Sequence, residues 1–419
     1  MGRHNRRPNF KLTTTRCRPE SGIHKHIRPY MRHTGGTNRV PQKLNESKTK
    51  KYTCMKHLIK QHLVWLWLSV FSSMALTSCD MMTEDREDCP TGLYLTFKYD
   101  YNLQRADMFS DHVGAVDVYV FDENGKFVTK QSEANQGGSN PLAAPLYRMH
   151  MNLDPGKYQF IVLAGQKSYA EQLAAPRAHF VRTEPQPGDD MSALHVRLDT
   201  KAGESSMLLG DNMNQPLDTL WHGIMTDPVE VFDQKPTYRT ISLMRDTKKI
   251  NVTLRELDDP TQMDINNYDL RIVDNNTHIL WDNSLDETDQ VMYTPHALWN
   301  TDDRTPAFDP NGDEIEGVGQ IGHADFMTSR ILYHENAADD AMLTITNKLT
   351  GQTVGALNLP DVLSRLRTSE DVYRYSAQEF LDRGYDYQLD IFLKGDRLAY
   401  VNISISILGW SQRVQFEEL

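Results

Sequence analysis

Val401-Asn402-Ile403-Ser404-Ile405-Ser406-Ile407 alternates a β-branched apolar residue with a small polar one across seven positions. Successive side chains of a strand point to opposite faces, so the run offers Val401, Ile403, Ile405 and Ile407 to a core and Asn402, Ser404 and Ser406 away from it. The same period of two appears upstream: Leu93, Leu95, Phe97 and Tyr99 alternate with Tyr94, Thr96 and Lys98, Val116, Val118 and Val120 with Asp117 and Tyr119, and Ile250, Val252 and Leu254 with Asn251, Thr253 and Arg255. Turn signals punctuate these runs at Asp122-Glu123-Asn124-Gly125, at Asp154-Pro155-Gly156 ahead of Tyr158–Leu163, and at Thr350-Gly351 after Leu343 and Ile345. Many short strands with little helical periodicity predict an all-β chain of antiparallel sandwiches.

Helices are expected to be few. Ser376-Ala377-Gln378-Glu379 has the form of a capping box ahead of Phe380 and Leu381, with a stop at Gly384, and Pro360-Asp361-Val362 opens a second short one. The Asn-, Asp- and Gly-rich stretch Trp299–Gly322 reads as a long loop. A boundary near Leu243–Lys248 divides an N-terminal β-sandwich domain, 92–244, from a C-terminal one, 245–419.

The segment before these strands has a different character. Leu76-Thr77-Ser78-Cys79 directly follows the apolar run Leu63–Leu76, and Met55, Lys56, His57, Lys60 and His62 form a short basic region before it. This is the pattern of a lipoprotein signal peptide, 55–78, with Cys79 as the acylated mature N-terminus. The apolar run is short for a membrane span. A single transmembrane anchor with Cys79 incidental is the alternative reading. Two or three acyl chains on Cys79 would hold the chain firmly, since each buried methylene contributes about 0.8 kcal/mol.

Residues 1–54 carry 14 Lys and Arg against 2 Asp and Glu, a net of +12, whereas the whole chain is −12. One reading of this basic extension is a nucleic-acid arm built on Arg6-Arg7 and Lys48-Lys50-Lys51; the other is that translation starts at Met55. Cleavage before Cys79 removes the extension in either case. Residues 79–419 then carry 29 Lys and Arg against 55 Asp and Glu, a net of −26, which repels phosphate backbones and excludes nucleic acid as a partner. Of Cys17, Cys54, Cys79 and Cys89 only the last two survive processing, so with Cys79 acylated no intrachain disulfide forms. Asp80–Asp88 is polar and acidic, and residues 79–91 are expected to be an extended tether.

Signals for chemistry are weak. Gly317-Val318-Gly319-Gln320-Ile321-Gly322 fits G-x-G-x-x-G without the strand before it and the helix after it that a dinucleotide site requires. Asp309-Pro310-Asn311-Gly312-Asp313-Glu314 spaces oxygen ligands as a calcium loop does, yet has Glu314 where such a loop wants glycine and Gln320 in place of the bidentate glutamate; a solvated acidic turn explains it as well. The nine histidines after Cys79 show no metal-ligand spacing, and Cys89 lies among acidic residues that raise a thiol pKa. No catalytic residue, cofactor or metal site is nominated, and the chain is read as a non-enzyme.

Cys89-Pro90-Thr91-Gly92-Leu93-Tyr94-Leu95-Thr96-Phe97-Lys98-Tyr99-Asp100-Tyr101-Asn102, followed by Val116–Phe121 and Asp122-Glu123-Asn124-Gly125, resembles the opening of the FimB-type minor fimbrial anchor family of Bacteroidetes. Further matches follow in order at Pro155-Gly156-Lys157-Tyr158 with Ala164-Gly165, Leu217–Gly223, Arg245–Ile250, Thr328-Ser329-Arg330, Gln378–Arg383 and Ile405–Trp410, so that the resemblance covers essentially residues 79–419. Residues 1–54 have no counterpart in it. The acidic cluster after Cys79 similarly resembles the signal that sends Bacteroidetes lipoproteins to the outer face of the outer membrane.

The resemblance implies two tandem transthyretin-like β-sandwich domains, a lipidated N-terminus at the cell outer membrane, and a role in holding or terminating a type V fimbria. It also implies fimbrial subunits as partners, joined by strand complementation, in which an extended segment of one subunit completes a sheet of its neighbour. Val401–Ile407 and the tail Gly409–Leu419, with Val401, Ile403, Ile405, Ile407 and Trp410 as contact residues, are the expected joining element; an ordinary core strand explains the alternation equally well. A surface adhesin or glycan-binding lipoprotein is the other functional reading, with Trp281, Trp299 and Tyr293 available to stack on sugars or to serve as packing.

Overall fold

The computed structural model describes residues 91–416 apart from 205–206, 307, 309–311, 315, 369–372, 396 and 408–409, and the side chains of 406–416 are not part of that description. In chain order the first strands are β1 (Leu93–Tyr101), β2 (Ala115–Asp122), β3 (Phe127–Ala134), β4 (Met149–Met151) and β5 (Gly156–Gly165). Four short strands follow: β6 (Phe180–Thr183), β7 (His195–Leu198), β8 (Thr200–Ala202) and β9 (Leu208–Gly210). Next come β10 (Leu220–Val231), β11 (Thr237–Arg245), β12 (Lys248–Glu256), β13 (Tyr268–Asp274), β14 (His278–Ile279), β15 (Leu285–Asp286) and β16 (Val291–Tyr293). The last are β17 (Ala297–Asp303), β18 (Gly319–Thr328), β19 (Met342–Asn347), β20 (Thr353–Asn358), β21 (Asp386–Leu393), β22 (Leu398–Ile407) and β23 (Trp410–Phe416).

A seven-stranded sheet has the order β3-β2-β5-β10-β11-β1-β4. β10 and β11 share only three pairs, Trp221↔Arg245, His222↔Met244 and Gly223↔Leu243, so the sheet turns over at this corner. Its two arms close on one apolar core that takes Leu93, Leu95 and Phe97 from β1, Val116, Val118 and Val120 from β2, and Ile241 and Leu243 from β11. The corner is tight. A Cβ on Gly223 would stand 2.6 Å from Leu243 Cδ2 and 2.9 Å from Ile241 Cγ2, which is why glycine occupies it.

β2 is buried on both faces. Tyr119 and Phe121 turn away from that first core and join a second one, with Ile250, Val252 and Leu254 of β12, Leu343 and Ile345 of β19, and Val401, Ile403 and Ile405 of β22. This second core lies between two six-stranded sheets, β17-β18-β12-β21-β22-β23 and β20-β19-β13-β16-β9-β8. Strands from both sides of Leu243–Lys248 share sheets: β9 pairs in parallel with β16, and β7 pairs with β14 within the four-stranded sheet β15-β14-β7-β6. β12 is parallel to β21, as β1 is to β11.

Local signals act as the sequence predicts at several places. Asp122 Oδ1 accepts from the N–H groups of Asn124 and Lys126, and Gly125 takes φ +74°, which closes the β2–β3 hairpin. Ser376 caps the helix Ala377–Arg383 by accepting from Glu379 N, and Leu359–Ser364 is helical after Asn358. Trp299–Gly322 is not one long loop. Its ends are two strands, β17 and the start of β18. β17 is an edge strand of exposed and half-exposed residues, so it needs little apolar alternation and its composition resembles a loop's. Gly319 to Gly322 accordingly lie in a strand, a context in which G-x-G-x-x-G cradles no phosphate.

Candidate functional site

β22 lies inside its sheet, bonded to β21 on one side and to β23 on the other. Val401 and Ile403 are fully buried and Ile405 nearly so. The backbone of Ile407 pairs with Trp410, where β23 begins, and the ladder runs on to Val401↔Phe416. β23 is the outermost strand, and among the described residues nothing pairs with its far side. The joining element read from the sequence is therefore divided between an inner strand that is part of the core and an outer one bonded on a single side. Such an unpaired edge is a template for another chain. Cys79, the signal peptide and the tether before Thr91 lie outside the described residues, as does Cys89.

A second arrangement collects motifs that are far apart in sequence. Lys248 is 1% exposed, and its Nζ donates to three backbone carbonyls, those of Arg245 at 3.2 Å, Asp382 at 3.1 Å and Gly384 at 2.9 Å. Three donors meet three acceptors, which is the full capacity of an ammonium group. Arg330 holds Asp382 in a two-point pair at 2.9 Å for each bond and also donates to the carbonyl of Asn283, whose amide donates to Asp246 Oδ1 at 3.0 Å. His222 Nε2–H donates to the Trp281 carbonyl at 3.0 Å, and the Arg245 guanidinium lies 4.4 Å from the centre of the Tyr385 ring.

Burial dominates the electrostatics of this cluster. It pulls the Lys248 ammonium pKa down and pushes the Asp246 carboxyl up, and it lowers His222 to about 4, so that His222 is neutral at neutral pH. A cavity of about 320 Å³ opens beside the cluster, lined by Tyr101, His222, Ile224, Met244, Asn283 and Arg330 among others. Leu217–Gly223, Arg245–Ile250, Thr328–Arg330 and Gln378–Arg383, far apart in the sequence, thus meet at the passage from β11 to β12. Sequence reasoning did not single out Lys248. A signal existed, because Lys248 stands two residues before Ile250 and so continues the inward face of Ile250, Val252 and Leu254.

Three aromatic residues were expected to stack on sugars or to pack. Tyr293 is buried and its hydroxyl donates to Asn276 Oδ1 at 2.6 Å, while Trp281 is half-buried and packs on the second core. Trp299 is 41% exposed on β17, and its ring is stacked on that of His323, the planes parallel to within 3° and the centroids 4.8 Å apart. His323 is fixed in turn by Thr301 Oγ1, 2.8 Å from its Nε2. No cluster of three or more metal-ligating side chains occurs among the described residues. No helix among them is long and apolar enough to cross a membrane.

The sheets packed on these cores define a β-sandwich protein. The model of the fimbrillin-A associated anchor proteins Mfa1 and Mfa2 matches residues 86–416, and the chain belongs to this family of fimbrial proteins. Among curated proteins none matches. A solved structure of a candidate adhesin from Bacteroides thetaiotaomicron is 26% identical with a TM-score of 0.61, over 78% of this chain and 98% of that one. A candidate polysaccharide-binding protein of the same organism is 29% identical with a TM-score of 0.59, over 79% and 100%. A candidate adhesin from Bacteroides ovatus shares the fold at 22% identity and a TM-score of 0.55, over 80% and 98%.

Proposed function

We propose that this fimbrial protein is a lipid-anchored anchor or accessory subunit that joins a fimbria to the outer membrane through strand complementation and performs no catalysis. Acyl chains on Cys79, exposed by removal of the leader 55–78, hold it in the membrane, and residues 79–91 present the folded body at the cell surface. In this reading the body is two transthyretin-like sandwiches, 92–244 and 245–419, interlocked through the strands they share.

The observation that carries the reading is the position of β23, a terminal strand bonded on one side at a sheet edge. When β23 leaves, the edge of β22 is uncovered, and Val401, Ile403, Ile405 and Ile407 set the register for an incoming strand that starts where Trp410 does now. A fimbrial subunit's extended segment supplies that strand, with main-chain bonds giving affinity and alternate side chains specificity. Deleting residues 410–419 is expected to change the length or retention of the fimbriae, and Cys79→Ala to shed the protein into the medium. Fimbriae of normal length and retention in both strains would refute the proposal.

A second reading, a glycan-binding surface, is supported by Trp299, exposed and stacked on His323, and by the polysaccharide-binding description of the relative that is 29% identical. Here the test is a glycan array on which wild type binds a sugar and Trp299→Ala does not; equal signals from the two proteins would remove Trp299 from the reading.

A further inference from the structure

Two histidines face each other across the seam between β7 and β14. His195 Nδ1 and His278 Nε2 are 3.0 Å apart, with the rings edge to face at 69° and their centroids 4.7 Å apart. The ladder that carries them is short. β7 and β14 share the pairs His278↔Arg197 and Ile279↔Val196, extended by Leu198 N, which donates to the Thr277 carbonyl at 2.7 Å. Just beyond Ile279 come Trp281, whose carbonyl accepts from His222, and Asn283, whose amide donates to Asp246. The seam therefore adjoins the buried junction.

A gap of 3.0 Å between two ring nitrogens holds one hydrogen, because one nitrogen donates and the other must be bare to accept. On β15, Asp286 Oδ2 lies 3.1 Å from His278 Nδ1, and on β7 the Arg197 guanidinium lies 3.1 Å from the same nitrogen and donates to Asp289 at 2.8 Å. A carboxylate needs a hydrogen on Nδ1 and a guanidinium needs it bare, yet either arrangement leaves a single hydrogen between the rings. Glu287, beside Asp286, is bonded to His334 at 3.1 Å, and Thr183, opposite His195 on β6, is uncharged. If both rings become imidazolium, two N–H groups meet head on, and with Arg197 three cations stand against the carboxylates of Asp286 and Asp289. Burial, then His278 and Arg197, hold His195 below the ordinary histidine value, so the closed seam resists its protonation. His195 is half-buried and stays within reach of solvent protons.

We propose that the His195–His278 contact is an acid-sensitive latch: one shared hydrogen ties β7 to β14 at neutral pH, and a second proton in mildly acidic surroundings drives the two strands apart. The inference stands apart from the anchor and glycan readings. Its sign follows from linkage. The open seam binds a proton on His195 near the ordinary value of about 6.5 and the closed seam does not, so the latch is fully set above that value and opening is favoured as pH falls below it. Between about pH 7.5 and pH 5.5 a free histidine passes from mostly neutral to mostly charged, so the open fraction grows by up to about tenfold. The opening is confined, because β6 still pairs with β7 and β9 with β16. β14 leads directly into Asp282 and Asn283, which line the junction cavity, so the latch sets how firmly that wall is held.

The test is hydrogen–deuterium exchange of the folded full chain at about pH 7.5 and about pH 5.5, with rates corrected for the intrinsic pH dependence of exchange. Peptides over 195–198 and 277–279 are expected to lose protection by up to about tenfold at the lower pH, while β12, paired on both sides, keeps its own. His195→Asn sets an amide oxygen near the position of Nδ1, and this oxygen accepts from His278 at either pH, so protection of its seam is expected to stay constant. A loss of less than about twofold in the wild type refutes the latch. An equal loss in His195→Asn also refutes it and assigns the opening to another group, such as the His334–Glu287 pair. A loss shared by β12 refutes a local switch. Should His195→Asn not fold, His195→Gln takes its place, and the wild-type comparison alone still overturns the proposal if protection holds.

Discussion

Replacing Lys248 with methionine tests whether the buried junction holds the body together. Methionine keeps the length and apolar stem of lysine but removes the ammonium that three carbonyls share. Hydrogen bonds to a charged group contribute about 1.5–3 kcal/mol each, so roughly 5–9 kcal/mol of gross interaction is lost. Burying an ammonium costs several kcal/mol, which its removal returns. Against this, Asp246 and Asp382, both buried, lose a neighbouring cation. Deleting one partner of a buried charged network costs about 3–5 kcal/mol, and that is the expected loss for Lys248→Met. If the strands shared across Leu243–Lys248 make the body unfold as one unit, this corresponds to a drop of roughly 4–7 °C, from about 2.1 cal/mol/K per residue. Denaturant unfolding with linear extrapolation, followed by fluorescence and by circular dichroism, measures it. A change under about 1 kcal/mol, or a gain, would refute the reasoning and show that apolar packing replaces the cage.

Asp274 is buried and burial raises its pKa to about 7, so the folded state holds a proton that the unfolded state releases near pH 4. Its contribution is full below about pH 4 and is lost as pH rises towards 7; Asp274→Asn should flatten stability in that window by a few kcal/mol, read from denaturation at stepped pH. Gly223→Ala should cost about 1–3 kcal/mol, because its methyl would overlap Leu243 and Ile241 at the sheet corner; an unchanged melting temperature would show that the corner can relax. Trp299→Ala should change stability by no more than about 1 kcal/mol, since the ring is exposed on an edge strand, and a larger loss by calorimetry would make it a packing residue.

The strands were legible where one face is buried and the other is not. Leu93, Leu95, Phe97 and Tyr99 alternate in sequence and are all buried, and the same holds for Val401, Ile403 and Ile405. Turns were legible where a residue carries its own backbone partner, as Asp122 and Ser376 do. Sheet membership was not, because β7 with β14 and β9 with β16 are pairings of only two residues each across long sequence distances, and nothing local encodes them. β17 was missed because an edge strand can be polar on both faces. Lys248 was missed because lysine is read as a surface residue, although its place in the alternation puts it inside.

The two ends of the body respond differently to tension. A pull on the chain at Thr91 along the axis of β1 meets a strand gripped on both flanks, by β11 running the same way and by β4 against it, so the ladder must slide as a whole before it yields. A pull outward at Phe416 meets the open end of an antiparallel hairpin, where β23 can be peeled from β22 one pair at a time. The molecule is therefore a fixed bolt at one end and a zipper at the other, and a filament that replaces β23 with its own strand would exchange the weaker fastening while the stronger one stays shut.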